Sequence, residues 1–126
     1  MTTRAIAAIR IEFIDHANQR YPTAGDWLYE GDVLVLRISR TKDERHQQLV
    51  AIHEMAEALI CNQDGVTAEA VDAFDMGPGE ALADPGASPD APYHGQHMIA
   101  TAIERVMASA MRVDWREYDM ALERLE

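Results

Sequence analysis

Asp26-Trp27-Leu28-Tyr29-Glu30-Gly31-Asp32-Val33-Leu34-Val35-Leu36-Arg37-Ile38 reads as two extended segments joined by a two-residue loop with glycine second. That is a β-hairpin signal, because glycine supplies the backbone freedom that tight hairpin turns need. Upstream, Ile9, Ile11 and Phe13 alternate with Arg10 and Glu12, the pattern of a half-buried strand. A turn region with Pro22 and Gly25 separates the two. Residues 1–40 are therefore expected to form a small antiparallel sheet of about three strands.

From residue 41 the period becomes helical. Thr41 and Glu44 fit a capping box. The segment to about Cys61 has no Gly or Pro, and Leu49, Ile52, Ala56, Leu59 and Ile60 form its expected apolar stripe. Asn62-Gln63-Asp64-Gly65 stops it, and Thr67 caps a shorter helix to about Phe74. Residues 77–92 hold four of the five prolines and are expected to be a long loop that borders the site as a lid. A third helix is expected from about Pro92 to Met111, and Asp114 caps a last one bearing Trp115, Tyr118, Leu122 and Leu125. The expectation is one α+β domain over residues 1–126: a sheet region 1–40, helices in 41–76, a loop 77–92, and C-terminal helices in 93–126.

The composition narrows the function. A formal net charge of −11, from 22 acidic and 11 basic residues without any Lys/Arg run, argues against nucleic-acid backbones and anionic membranes. The single cysteine, Cys61, permits no internal disulfide and suits a cytoplasmic setting. It has no CxxC or CxxH companion and is expected as a small core or boundary residue. Met98, Met107 and Met111 are expected as core filler. The N-terminus is too soon interrupted by charge for a signal peptide, and no apolar run reaches the roughly 18 residues of a membrane helix. A homo-oligomer is compatible with all of this.

Chemistry concentrates in His53-Glu54-Met55-Ala56-Glu57. His53 and Glu57 are one helical turn apart, with Cβ atoms roughly 5–6 Å from each other, so both can reach one ion. Glu54 is rotated by about 100° and flanks that ion, as the general base of His-Glu-x-x-His metallohydrolases does. Here Glu57 stands where the second His would be. On the third helix His97 and Glu104 are seven residues apart, separated by about 20° around the axis and about 10.5 Å along it. Both lie at the margin of the expected apolar face of Ile99, Ile103 and Val106. The expected ligand set is His53, Glu57 and His97, with Glu104 as a further ligand or a partner behind one. The expected ion is zinc or another divalent metal. A plain alternative stays open, in which these groups only hydrogen-bond across a helix interface. His46 could line the cavity's far end, His94 is expected in solvent or near the loop, and His16 has no assigned role.

Glu54-x-x-Glu57 followed by Glu69-x-x-Asp72 resembles, in spacing, the magnesium-binding carboxylates of all-α nucleotide pyrophosphohydrolases. His46 with His53-Glu54 is similar to HD-type phosphohydrolases, from whose Asp Glu54 departs. The chain also resembles small bacteriophage-type proteins with a minimal zincin-like layout. That likeness is carried by Ile52-His53-Glu54-Met55-Ala56-Glu57-Ala58-Leu59-Ile60-Cys61, Ala91-Pro92-Tyr93-His94-Gly95-Gln96-His97 and Val113-Asp114-Trp115-Arg116-Glu117-Tyr118. The zincin-like likeness implies strands leading to a His-Glu helix that lies against the sheet. The expected function is a peptidase-like, divalent-metal hydrolase acting on a peptide or small molecule. The alternatives are a magnesium-dependent nucleotide phosphohydrolase and a non-catalytic phage-type accessory or interaction protein.

Overall fold

A computed structural model describes residues 3–126 and shows an α+β fold. Strands β1 (Ala8–Ile14), β2 (Gly25–Glu30) and β3 (Val33–Ser39) form one sheet. Helices α1 (Glu44–Asp64), α2 (Ala68–Asp75), α3 (His94–Ala110) and α4 (Trp115–Glu123) follow, with short 3₁₀ turns at His16–Asn18 and Pro85–Ala87. Among the described residues no helix is long and apolar enough to cross a membrane.

The hairpin is present: β2 pairs antiparallel with β3, and Gly31 takes a positive φ of 62° in the turn. The sheet as a whole is mixed rather than antiparallel, because β1 pairs parallel with β3 in the order β1-β3-β2. The connection explains this. Residues 15–24 are too many for a tight turn, and they pass over the end of β3 to reach its far side. Ser39 N–H donates to the Ala24 carbonyl at 2.8 Å, and Arg40 N–H to that of Ile14 at 2.7 Å. β3 is therefore central, as its nearly unbroken aliphatic run suits, with Leu34, Val35, Leu36 and Ile38 all buried. β1 is an edge strand, more open than its alternation suggests, with Ile9 and Ile11 exposed.

α1 lies across β2 and β3, and α3 packs along α1. The N-cap of α1 is Asp43, whose carboxylate accepts from Arg45 N–H, not Thr41 as expected. Thr41 Oγ1 instead accepts from Gln47 N–H at 3.0 Å and donates to the Asp43 carbonyl. Gly65, at φ 74°, ends the helix in the left-handed conformation. Thr67 and Asp114 cap α2 and α4 as read from the sequence.

The helix faces are the main correction. On α1 the buried residues are Leu49, Val50, Ala51, His53, Glu57, Ala58 and Cys61, while Ile52, Ala56 and Ile60 are half-buried and Leu59 is exposed. On α3 the buried residues are His97, Ala100, Glu104 and Ala108, and Met98, Ile99, Ile103 and Val106 face outward. Met98 is thus a surface residue rather than core filler, whereas Met107 and Met111 do pack against the core. Both helices turn their polar ligand-type side chains inward.

Candidate metal centre

His53 and Glu57 project from adjacent turns of α1, and His97 comes from the first turn of α3, which lies alongside. Although 44 positions apart, the two histidines meet, with His53 Nε2 3.2 Å from His97 Nδ1. Glu57 Oε2 completes the triangle, 3.1 Å from His53 Nε2 and 2.9 Å from His97 Nδ1. Tetrahedral bonds of about 2.0–2.1 Å place neighbouring donor atoms roughly 3.3 Å apart. The three atoms fit one small divalent ion with adjustments of tenths of an ångström. Among the described residues this is the one set of three such donors in close array.

Each donor is held from behind. Glu104 Oε1 lies 2.7 Å from His53 Nδ1, and its other oxygen accepts from the Tyr118 hydroxyl. Asp84 faces His97 Nε2 at 3.1 Å, and Trp27 Nε1–H donates to Glu57 Oε1 at 3.0 Å. Carboxylates behind imidazoles fix the tautomer and leave the opposite nitrogen's lone pair for a cation. Glu104, expected as a further ligand or as a partner behind one, lies behind His53, on the ring edge away from the other donors. Asp84, Trp27 and Tyr118 were not assigned to the site by sequence reasoning. The acidic, proline-rich loop was the only hint of Asp84, and nothing in residue order links Trp27 to Glu57.

Electrostatics follow from this packing. Burial works against protonated imidazoles, yet the hydrogen bonds to Glu104 and Glu57 outweigh it and hold His53 up at about 11. His97 is raised to about 9 because Asp84 and Glu57 overcome the same burial penalty. Glu57 is buried, but its bonds to both histidines keep its carboxyl below the ordinary range. Glu54 goes the other way: burial, then the nearby Glu57 charge, raise it well above the usual carboxylate value.

Glu54 is half-buried beside the three donors and lines the same cleft. Its seat exists because residue 25 is glycine. A Cβ there would lie 2.6 Å from Val50 Cγ1 and 2.8 Å from Glu54 Oε1. Gly86 does the same for His97, whose Nδ1 would be 2.5 Å from an added Cβ. The loop carrying Gly86 thus lies directly on the His97 ring, and it borders the site as expected.

The cleft measures about 1010 Å³. Its walls come from the crossing segment (Arg20, Tyr21, Pro22), the loop (Leu82, Asp84) and α4 (Trp115, Asp119, Leu122). Arg20, the one Arg or Lys in its lining, is tied to Asp26 at 2.8 and 2.9 Å and to Asp72 at 3.1 Å. Asp75 accepts hydroxyl bonds from Tyr21 and Tyr93.

The remaining candidates lie apart. His46 meets the Tyr118 ring at a tilted angle of 56°, His94 bonds the Gly86 carbonyl, and His16 pairs with Ser39 Oγ while lining the cleft. Glu69 is exposed and Asp72 is held by Arg20, so Glu54, Glu57, Glu69 and Asp72 do not form one carboxylate cluster. No family model, curated protein or solved structure matches this chain.

Proposed function

We propose that this protein is a divalent-metal hydrolase of peptidase-like type, with His53, Glu57 and His97 as ligands and Glu54 as general base. The observation that carries this is the convergence of three donor atoms, each braced on its far side by a separate residue. A zinc-like ion held there would act as a Lewis acid and lower the pKa of a bound water. Glu104 and Asp84 orient the two imidazoles. Glu54 stands beside the donors with a raised pKa, which suits a group that accepts a proton and passes it on near neutral pH.

The cleft favours a peptide over a nucleotide. Asp26, Glu54, Asp75, Glu80, Asp84, Asp119 and Glu123 line it, and its one guanidinium is already paired with two carboxylates. Phosphates would meet like charge there, whereas a cationic or neutral chain would not. Pro22, Leu82, Trp115 and Leu122 add apolar surface for a side chain. A cytoplasmic setting accords with the lone, buried thiol of Cys61.

The deciding experiment is metal analysis of protein purified without added metal, paired with hydrolysis assays on peptide and nucleotide panels. One zinc-like ion per chain with peptide turnover supports the proposal. Magnesium-dependent nucleotide turnover moves the assignment to the phosphohydrolase reading. An absence of both metal and turnover leaves a charged cluster that stabilises helix packing in an accessory protein.

A further inference from the structure

The two kinds of donor leave different atoms over, and each leftover atom has a partner of the opposite hydrogen-bonding type. An imidazole that gives one nitrogen to a cation keeps an N–H at the other. Both histidines turn that edge to a carboxylate, His53 to Glu104 at 2.7 Å and His97 to Asp84 at 3.1 Å. A carboxylate that gives one oxygen keeps an acceptor, and Glu57 turns it to an indole. Its Oε2 sits in the donor triangle, while Oε1 accepts from Trp27 Nε1–H at 3.0 Å. An indole N–H only donates, so Trp27 can neither bind a cation nor take up a proton there.

The strand carries this donor to the helix. Side chains two positions apart on a strand share a face. On β2, Gly25 lies against Val50 and Glu54, and Trp27 reaches Glu57 one turn further along α1. Trp27 pairs with Leu36 in the middle of the hairpin, and its ring meets that of Tyr29 edge-on. Trp27 is 4% exposed and Glu57 5%, so their bond is shut off from bulk water.

We infer that Trp27 holds Glu57 as a one-oxygen ligand and so sets which ion the centre accepts, a small four-coordinate ion of the zinc type in preference to manganese, magnesium or calcium. The inference rests on His53, Glu57 and His97 holding an ion at all. Zinc is served by three protein donors and one open position. Magnesium and manganese prefer about six oxygens, and calcium takes about six to eight, often gripping a carboxylate through both of its own. With Oε1 given to the indole, the cluster offers two nitrogens and a single oxygen. Recruiting the second oxygen would break a buried hydrogen bond and leave the indole N–H unpaired, which burial makes costly. Trp27 is thus a positioning residue that acts on the ion through Glu57.

The test compares the parent with Trp27→Phe by zinc and manganese titration and by the visible spectrum of the cobalt(II)-loaded proteins. The parent is expected to show the intense bands of four-coordinate cobalt. In Trp27→Phe, zinc affinity is expected to fall about 10–100-fold, the usual effect of removing a partner behind a ligand. Manganese affinity should hold or rise, and the cobalt bands should weaken as the second oxygen enters. A loosened core alone would lower both affinities together, so an unchanged zinc-to-manganese ratio overturns the inference, as does an unchanged cobalt spectrum. Phenylalanine is a smaller ring in a buried place, so one measurement uses the parent alone. Its Trp27 indole N–H resonance is expected to stay downfield and slow to exchange with solvent when zinc is added. Movement to the position of an unbonded indole, with faster exchange, overturns the inference whether or not the variant folds, and leaves the metal centre standing. A parent that binds none of the three metals removes the metal centre itself, and the inference with it.

Discussion

Two glycines leave room for side chains of the site, Gly25 for Glu54 and Gly86 for His97. At residue 25 an added methyl would meet Val50 and Glu54 at 2.6–2.8 Å, and at residue 86 it would meet the His97 ring at 2.4–2.5 Å. Gly86→Ala is expected to displace His97 and cost about 1–3 kcal/mol, the usual penalty for overpacking a tight site. Denaturant unfolding together with zinc titration checks both effects; an unchanged zinc affinity would show that His97 is not a ligand. Glu54→Gln keeps the size of the side chain and removes its proton acceptor. Metal content should stay the same while hydrolysis falls by roughly 10²–10⁴, the usual worth of a positioned base. His53→Ala should lose the ion itself. Should Glu54→Gln lose it as completely, Glu54 is a ligand and the assignment of roles is wrong.

At the level of elements, sequence signals succeeded where the cause is local. Glu30-Gly31 marked the hairpin because its turn needs the positive φ found at Gly31, and Thr67 and Asp114 marked helix starts because their side chains bond the next turn. Thr67→Ala should destabilise by about 1 kcal/mol through the lost cap. A lower thermal midpoint with intact metal binding is the expected result, since α2 supplies none of the three donors. Non-local features were hidden. β1 finds its parallel partner 25 positions away, across a segment whose length alone excluded a tight turn. The stripes on α1 and α3 misled because hydrophobic periodicity locates the core only when the buried side is apolar. Here His53, Glu57, His97 and Glu104 occupy it. The motif itself was legible, because its i, i+4 spacing is fixed by helix geometry, as was its convergence with His97. The residues that brace it were not, since Asp84, Trp27 and Tyr118 come from three different elements.

For the whole molecule, the cluster should make stability respond to pH in opposite ways with and without an ion. His53 and His97 have folded values, about 11 and about 9, above the ordinary 6.5 of histidine. In chelator-treated protein their stabilisation is fully present below pH 6.5 and is lost as pH rises through about 9 and then about 11. Zinc must displace those same protons, so the zinc-loaded protein should gain stability relative to the ion-free protein as pH rises from 6 to about 9. Thermal midpoints across that range, with chelator and with zinc, should diverge upward; parallel curves would separate the histidines from any ion. Cys61 should stay silent towards alkylating reagents at pH 8 until the chain unfolds, because burial pushes its thiol up to about 12 and encloses it fully. The strand order has a consequence for synthesis. β3 stands between the other two strands but is the last of the three in the chain. While only β1 and β2 have emerged from a ribosome they are two edges without a centre. The sheet can close only once Ser39 has cleared the exit tunnel, and the donors of α1 and α3 follow it in order. The sheet is made with its keystone last.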